Sequence, residues 1–296
     1  MKWGILMKAA IDIGTNTIRM LIGKVVKGKV EVHAQFIAEP RLGAGITEGK
    51  LTYEAMARAL KVLKDYKTAA QDYQVQDVFV VATSAVRDAA NKKEFIDAVF
   101  NNTGWRVEVI TGNEEAVLSF IGAISTLPEI NGAPVIIDIG GGSTEVIFQR
   151  NGRIKGVSVN VGAVRLWEAA WPEEELRIRL LPVLREVSSL KEKILPVAVG
   201  GTATTAAAVL YGITNYSREK VQGKPLNLDE LIGLKSRLAG MTMEERKNVA
   251  GLTPKRADII VPGLDILICI LRELGVTRIL VSDAGILDGL LLRKQN

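Results

Sequence analysis

The sequence predicts an α/β protein of two duplicated domains, each a mixed β-sheet covered by helices, with a cleft between them. A short motif occurs twice, as AIDIGTNT at 10–17 and as IDIGGGST at 137–144. The predicted elements around each copy follow the same order of three strands, a helix, a strand and a helix. The 296 residues are enough for two domains of roughly 150 residues. We therefore expect domains at 1–124 and 125–296, with the C-terminal helix 285–296 able to pack back on the first domain.

The first half begins with an apolar run that predicts a strand at 8–13. Alternating stretches at 18–26 and 30–36 predict two further strands, joined by a hairpin turn at Lys27, Gly28 and Lys29. Apolar residues three or four positions apart predict a helix over 53–70. The remaining elements of this half are a strand at 78–82, a helix at 92–100, a strand at 106–111 and a helix at 114–123.

The second half repeats this pattern. Three strands are predicted at 135–139, 143–149 and 153–159, and the Gly-containing turn at 150–152 joins the last two. The remaining elements are helices at 173–192 and 202–210 around a strand at 195–199, helices at 228–239 and 261–274, a strand at 278–281, and a short helix after Gly285. The boundary between the halves is expected near 122–131.

Composition narrows the available chemistry. A single cysteine, Cys269, excludes an internal disulfide, and a single histidine, His33, excludes a multi-histidine metal site. Any catalysis must then use carboxylates, hydroxyls, backbone amides or arginine. The net charge of +5 is spread over mixed-charge helices without a basic run, so no nucleic-acid polymer is expected as a partner. No apolar run of about 18 residues or secretory signal is present, so we expect a cytoplasmic protein with no membrane partner.

The repeated motif is suited to phosphate binding. Glycine lets the backbone approach a ligand closely, and successive amides with hydroxyl side chains can surround a phosphate. The candidate phosphate-binding residues of the two copies are Gly14, Thr15, Asn16, Thr17, Gly140, Gly141, Gly142 and Ser143. Asp12 and Asp138 end their strands, where an α/β fold places its ligands, and either carboxylate can bind a divalent cation.

Three further segments carry candidate residues. A strand enters a helix through Gly200, Gly201 and Thr202, and a helix N-terminus of this kind attracts anions. Arg87 follows a predicted strand in a loop, where its guanidinium could hold a phosphate. Glu114 and Glu115 begin a helix; such pairs commonly complement the helix dipole, but without a usable histidine a carboxylate is the leading candidate for a general base.

Taken together, the chain resembles the exopolyphosphatase/guanosine pentaphosphate phosphohydrolase (Ppx/GppA) family of the actin-like ATPase superfold, whose domains are ribonuclease H-like. The matching segments occur in family order at 10–17, 41–45, 83–87, 111–116, 137–145, 161–166, 200–205, 256–263 and 281–291. Thr15 and Thr17 stand where serines are commoner, which keeps the hydroxyls.

The resemblance implies a role for individual residues. Glu115 takes the place of the base that activates water, Glu145 that of a second acidic residue of the site, and Asp138 that of a metal ligand. Arg87 matches the arginine near the terminal phosphates. The implied metal is Mg²⁺ or another divalent cation, bound by Asp138 with Asp12 or Glu145 as a further candidate ligand.

The expected activity is hydrolysis of the terminal phosphoanhydride bond of inorganic polyphosphate, of guanosine pentaphosphate, or of both, with the substrate in the interdomain cleft. The sequence does not indicate which of the two substrates is preferred. It is compatible with a homodimer. Two alternatives stay open. One is a kinase of the same superfold, and the other is a non-enzymatic sensor that binds guanosine tetraphosphate or a related nucleotide.

Overall fold

A computed structural model describes residues 6–45, 49–127 and 132–293. The chain divides into two compact units, which we call the N-terminal unit (Met1–Ser125 with Gly285–Asn296) and the C-terminal unit (Thr126–Ala284). Residues 128–131 of the expected boundary, and the last three residues of the predicted helix 285–296, lie outside the described residues.

Eleven strands are assigned in the described part of the chain. They are β1 (Lys8–Ile13), β2 (Ile18–Val26), β3 (Lys29–Ala38), β4 (Asp77–Ala82), β5 (Val107–Val109), β6 (Ala133–Ile139), β7 (Thr144–Arg150), β8 (Arg153–Val159), β9 (Ile194–Val199), β10 (Pro225–Asn227) and β11 (Arg278–Ser282).

The same residues contain twelve α-helices and a 3₁₀ turn at Pro254–Arg256. The helices are α1 (Tyr53–Asp72), α2 (Ser84–Arg87), α3 (Lys92–Thr103), α4 (Gly112–Ser125), α5 (Ala163–Ala169), α6 (Glu173–Ser188), α7 (Gly200–Leu210), α8 (Arg218–Val221), α9 (Leu228–Ala239), α10 (Met243–Lys247), α11 (Ile260–Glu273) and α12 (Ile286–Leu292).

The two sheets repeat one topology. The N-terminal sheet has the order β3-β2-β1-β4-β5, and β1 is antiparallel to β2 but parallel to β4. The C-terminal sheet has the order β10-β11-β9-β6-β7-β8, with β6 antiparallel to β7 and parallel to β9. Strands β6, β7, β8, β9 and β11 therefore correspond to β1, β2, β3, β4 and β5, and β10 is an added edge strand. This arrangement confirms the predicted fold class of two duplicated mixed sheets covered by helices.

Alternation along β1 sorts its side chains between two helix layers. Ala9, Ile11 and Ile13 are fully buried in the core formed with α1 and α3. Ala10 lies in a separate buried cluster with residues of α4 and α12. Because successive side chains of a strand point to opposite faces, Asp12 shares the face of Ala10. The buried central strand β1 therefore places the carboxylate of Asp12 near its C-terminal end.

Two predictions about local structure were wrong. Arg87 does not lie in a loop; it ends the one-turn helix α2, which is too short to produce a helical pattern in the sequence. Strand β5 covers only Val107–Val109 instead of 106–111. It stops early because Thr111 already serves as the N-cap of α4. Helix α5 was also not predicted, again because it is short.

Glycines bring α4 and α12 into close contact within the N-terminal unit. A Cβ atom at Gly289 would overlap the backbone carbonyl of Leu118, and one at Gly122 would overlap that of Gly285. Backbone atoms cannot move aside as a flexible side chain can, so these positions require glycine.

We expect Gly289→Ala to lower the free energy of unfolding by about 1–3 kcal/mol, the usual cost of overpacking. Urea unfolding followed by circular dichroism measures the change. Gly233→Ala is the matched control, because Gly233 lies inside α9 with no atom near its missing side chain. There alanine should be neutral or stabilise by up to about 1 kcal/mol through helix propensity. Equal destabilisation by both substitutions would contradict the packing argument.

None of the helices in the described ranges combines the length and the apolar composition that a membrane span requires.

Candidate functional site

The first glycine turn connects β1 to β2. Its closing hydrogen bond runs from the amide of Gly14 to the carbonyl of Thr17 over 3.0 Å. The segment after β3 packs on it, since the amide of Gly43 donates to the carbonyl of Thr15 at 2.8 Å. The hydroxyl of Thr15 lies 3.0 Å from that of Ser84 at the start of α2. The turn is therefore held from two sides, and Thr15 is exposed for contact with a ligand.

The second glycine turn connects β6 to β7 in the same way. The amide of Gly140 donates to the carbonyl of Ser143 at 2.9 Å, and the segment after β8 again packs on the turn through the amides of Ala163 and Val164. Among the described residues, the amides of Gly141 and Gly142 donate to no protein backbone acceptor, and both glycines are exposed. Adjacent exposed amides of this kind form an anion-binding surface.

The strand register exposes a difference between the two copies. In the first copy, Asp12 of β1 lies directly opposite Arg19 of β2. In the second copy, Asp138 of β6 lies directly opposite Glu145 of β7. Residues directly opposite on antiparallel strands share a face with their Cβ atoms about 5 Å apart. The N-terminal copy therefore pairs opposite charges, whereas the C-terminal copy brings two carboxylates together.

Asp12 forms an ion pair with Arg19. Its Oδ2 atom accepts from Nη2 of Arg19 at 2.6 Å and from Nε at 3.1 Å, and the Asp12 residue is only 3% exposed. Within the part of the chain that the structure describes, the buried Oδ1 atom has no hydrogen-bond partner. An orphaned buried carboxylate oxygen is costly unless water or a cation satisfies it. The charge of Asp12 is already compensated, so any cation there must compete with Arg19. No role was predicted for Arg19.

Glu145 is oriented by two serines. Its Oε1 atom accepts from the hydroxyl of Ser143 at 2.7 Å and from that of Ser158 at 2.8 Å. Asp138 lies against Gly200, where an added Cβ atom would come within 2.5 Å of Oδ1 of Asp138. The glycine at position 200, with φ of +80°, therefore makes room for the carboxylate as well as for the backbone turn.

Two carboxylates with like charge on facing strands repel each other unless a cation or a proton compensates them. The described residues contain no group of three or more histidine, cysteine, aspartate or glutamate side chains placed to hold a metal ion. Mg²⁺ does not need such a cage, because it commonly uses one or two carboxylates and takes its other ligands from water and substrate phosphates. The donors Asp138 and Glu145 fit that mode of binding.

The third glycine turn leads from β9 into α7. Gly200 and Gly201 form the first turn of this 11-residue helix, and Thr202 is buried behind them. The guanidinium of Arg256 occupies the space beside Gly201, so that any side chain at position 201 would overlap it. A cation at the positive end of a helix dipole is unfavourable by itself, but the two together attract an anion.

Arg256 is the site residue that sequence reasoning missed. It belongs to the segment 256–263 that supported the family resemblance, but no role was assigned to it. The signal was weak because Arg256 and Gly201 are far apart in sequence and meet only in the fold.

The structure separates the roles of Glu114 and Glu115. Glu114 completes a capping box, in which its Oε2 atom accepts from the amide and the hydroxyl of Thr111, each at 2.8 Å. The amide of Glu114 in turn donates to the Thr111 hydroxyl at 3.2 Å. These hydrogen bonds from Thr111 lower the pKa of Glu114. A carboxylate held ionised in this way is a poor general base.

The capping box predicts a pH-dependent contribution to stability. Because its pKa is lower in the folded state, Glu114 stabilises the fold above its ordinary pKa near 4.5, and this contribution is lost as the pH falls through the lowered value. We expect Glu114→Ala to reduce the free energy of unfolding by about 1 kcal/mol at pH 7. At pH 3 the difference from the parent protein should shrink. A difference independent of pH, measured by urea unfolding, would rule out the ionic part of the cap.

Glu115 instead meets Arg87. Oε2 of Glu115 lies 3.7 Å from Nη1 of Arg87, and the two side chains are about one-third exposed, at 39% and 30%. Arg87 also contacts Asp88 and donates to the carbonyl of Ile110 at 3.3 Å. The N-terminal unit thus brings together two of the predicted residues, a carboxylate and a guanidinium, at accessible positions.

The predicted residues form two clusters, one in each unit. The N-terminal cluster consists of Asp12, the turn 14–17, Arg87 and Glu115. The C-terminal cluster consists of Asp138, the turn 140–143, Glu145 and residues 200–202, and the structure adds Arg256 to it.

The comparisons with known proteins all point to the same protein family. A sequence profile of the Ppx/GppA phosphatase family matches residues 21–296. The chain is 34% identical to Exopolyphosphatase 2 of Mycobacterium tuberculosis over 96% of this chain and 97% of that protein. The crystal structure of the Aquifex aeolicus member of the Ppx/GppA family superimposes with a TM-score of 0.84 at 30% identity, covering 97% of each chain. An exopolyphosphatase from Cytophaga hutchinsonii gives a TM-score of 0.79 at 28% identity, covering 96% of each chain.

Proposed function

Because the chain belongs to the Ppx/GppA phosphatase family, we propose that it hydrolyses the terminal phosphoanhydride bond of inorganic polyphosphate, of guanosine pentaphosphate, or of both. The observation that carries this proposal is that the adjacent residues Glu114 and Glu115 make different contacts. Glu114 is committed to capping α4, whereas Glu115 stays accessible beside Arg87. Activation of water for attack on phosphorus requires a carboxylate that accepts the proton and a cation beside it that binds the phosphate.

In the proposed reaction, Glu115 accepts a proton from water as the water oxygen attacks the terminal phosphorus in line. The bond from that phosphorus to the bridging oxygen breaks, and the shortened phosphate chain leaves with the bridging oxygen. Arg87 holds the oxygens of the transferred phosphoryl group and offsets their charge. Water accepts the phosphoryl group, so the reaction needs no other acceptor.

We propose that the C-terminal cluster also binds phosphate. The exposed amides of Gly141 and Gly142, together with Arg256 and the N-terminus of α7, suit the phosphates of a polyanionic chain. Asp138 and Glu145 are the residues that would hold Mg²⁺. When bound, such a cation neutralises phosphate oxygen charge. Asp12, paired with Arg19, would chiefly shape the first glycine turn.

The name of the mycobacterial relative favours polyphosphate as a substrate, and guanosine pentaphosphate presents the same terminal anhydride to the same groups. The test is a phosphate-release assay with polyphosphates of several lengths and guanosine pentaphosphate side by side, with Mg²⁺ varied. Mg²⁺-dependent release of orthophosphate from at least one of them, with no acceptor added, is the expected result. Tight binding of guanosine tetraphosphate without any release would instead support a sensor. Transfer of the phosphoryl group to an added acceptor, without release of orthophosphate, would support a kinase.

A further inference from the structure

A cavity of about 480 Å³ opens in the C-terminal unit, and none of the candidate site residues lines it. Its wall is formed by residues of α5, α6, α9, α10 and α11 and of the segment between α5 and α6. Cavities of this volume accommodate small organic ligands. Among the lining residues are Leu166, Trp167, Trp171, Glu173, Leu176 and Arg246.

Two tryptophans give the cavity aromatic surface. Trp167 is 51% exposed, which is unusual for so large an apolar side chain. The ring of Trp171 is stacked by the guanidinium of Arg179 at 4.2 Å from its centroid, which fixes the ring in place. Leu166 and Leu176 are buried and supply an apolar floor. An apolar floor with indole rings favours a flat aromatic ligand.

The charged side chains that line the cavity carry a net positive charge. Of three cations and two carboxylates, Lys235 pairs with Asp265, and Arg272 pairs with Glu173 at 2.8 Å. Arg246 has no carboxylate partner among the described residues. Its Nε, Nη1 and Nη2 atoms donate to the backbone carbonyls of Leu238 at 2.6 Å, Ala257 at 3.5 Å and Ala239 at 3.4 Å, so the guanidinium is oriented by the backbone but its charge is not neutralised by an acid. One positive charge therefore remains for a ligand.

We propose that this cavity binds a planar aromatic molecule with a single negative charge, such as a bicyclic aromatic carboxylate. The ring lies against the tryptophans, and the anionic group is held by Arg246. The lining also links the cavity to the second glycine turn. The amides of Ala163 and Val164 in α5 hold the carbonyls of Gly140 and Gly141, and Leu166 and Trp167 of the same helix line the cavity. An occupant therefore contacts the helix that supports the turn; the functional meaning of this link rests on the proposed function.

The test is calorimetric titration of the full chain with 2-naphthoate, with the neutral 2-naphthalenemethanol as the matched probe. We expect saturable binding of 2-naphthoate, at least tenfold tighter than that of the neutral probe. Trp171→Ala should weaken it by about tenfold, whereas Ile178→Ala, an exposed change outside the lining, should not. Arg246→Gln should abolish the preference for the anion and Arg246→Lys should retain it, which separates charge from a folding defect.

Equal affinity for the two probes, or binding unchanged in Trp171→Ala, would overturn the proposed site. The link to the turn is tested by amide hydrogen exchange with and without 2-naphthoate. Slower exchange is expected at the amides of Gly140, Ala163 and Val164, which donate the hydrogen bonds of the turn and of its contact with α5, and exchange that does not change there would refute the link. Neither readout involves phosphate release, so failure of the proposed hydrolase function leaves both results interpretable.

Discussion

Glu115→Gln is expected to lower kcat for phosphate release by about a hundredfold or more, the range typical for loss of a general base. Glutamine keeps the shape of the side chain and can still contact Arg87, but it cannot accept a proton. KM should change much less than kcat, because the proposed phosphate contacts of the glycine turns and Arg87 would be kept. Initial rates on short polyphosphate, with circular dichroism as a check on folding, provide the measurement.

The adjacent residue gives the control for this prediction. Glu114→Gln makes the same chemical change one position away, in the capping box of α4. It should alter stability slightly and leave kcat within a few-fold of the parent enzyme. If Glu114→Gln proved as damaging as Glu115→Gln, or if Glu115→Gln turned over normally, the assignment of the base would be wrong.

Asp138→Asn is expected to cause the second large loss. Removing one of the two facing carboxylates lowers the attraction for a divalent cation, and we expect kcat/KM at fixed Mg²⁺ to fall by about a hundredfold. Excess Mg²⁺ should recover part of the activity. Binding of Mn²⁺, followed by the loss of its free electron paramagnetic resonance signal, should weaken independently of turnover.

The control for the metal prediction is Asp229→Asn, which removes an exposed carboxylate from α9 in the same unit. It should leave Mn²⁺ binding and turnover unchanged. Arg19→Gln provides a comparison at the N-terminal copy, where it would leave the carboxylate of Asp12 without its cation. Unchanged Mn²⁺ binding in Asp138→Asn would exclude this carboxylate as a ligand.

Much of the fold could be predicted because each copy of the repeat shows the apolar pattern of its strands in the local sequence. Apolar runs that end in aspartate and glycine mark β1 and β6, and alternation marks the hairpins that follow them. The one-turn helix α2 and the seven-residue α5 could not be predicted, because neither is long enough to show a helical period. Strand β5 was overextended because the cap at Thr111 competes with strand pairing.

The candidate site was predictable where its residues belong to a local motif. The glycine turns and the pair Glu114 and Glu115 are of this kind, although only the hydrogen bonds of the capping box distinguish the two glutamates. Contacts between distant segments were not predictable. Arg256 beside Gly201 depends on the packing of the 3₁₀ turn against α7, which no local pattern reports.

The contrast between the two copies became clear only from the strand register. Both motifs contain an aspartate followed seven residues later by a charged residue, but the sequence does not show that the two positions face each other. In the structure, Asp12 faces a cation and Asp138 faces a carboxylate. This difference is the reason why we propose the cation site at the C-terminal copy.

The central claim is that water attacks the terminal phosphorus, and oxygen labelling tests it most directly. Polyphosphate is hydrolysed in water enriched in ¹⁸O, and the released orthophosphate is examined by mass spectrometry. The proposed reaction places one ¹⁸O atom in every orthophosphate released, because the bridging oxygen departs with the shortened chain. Orthophosphate without ¹⁸O would show attack at another phosphorus, and transfer of the phosphoryl group to an acceptor without release would contradict hydrolysis altogether.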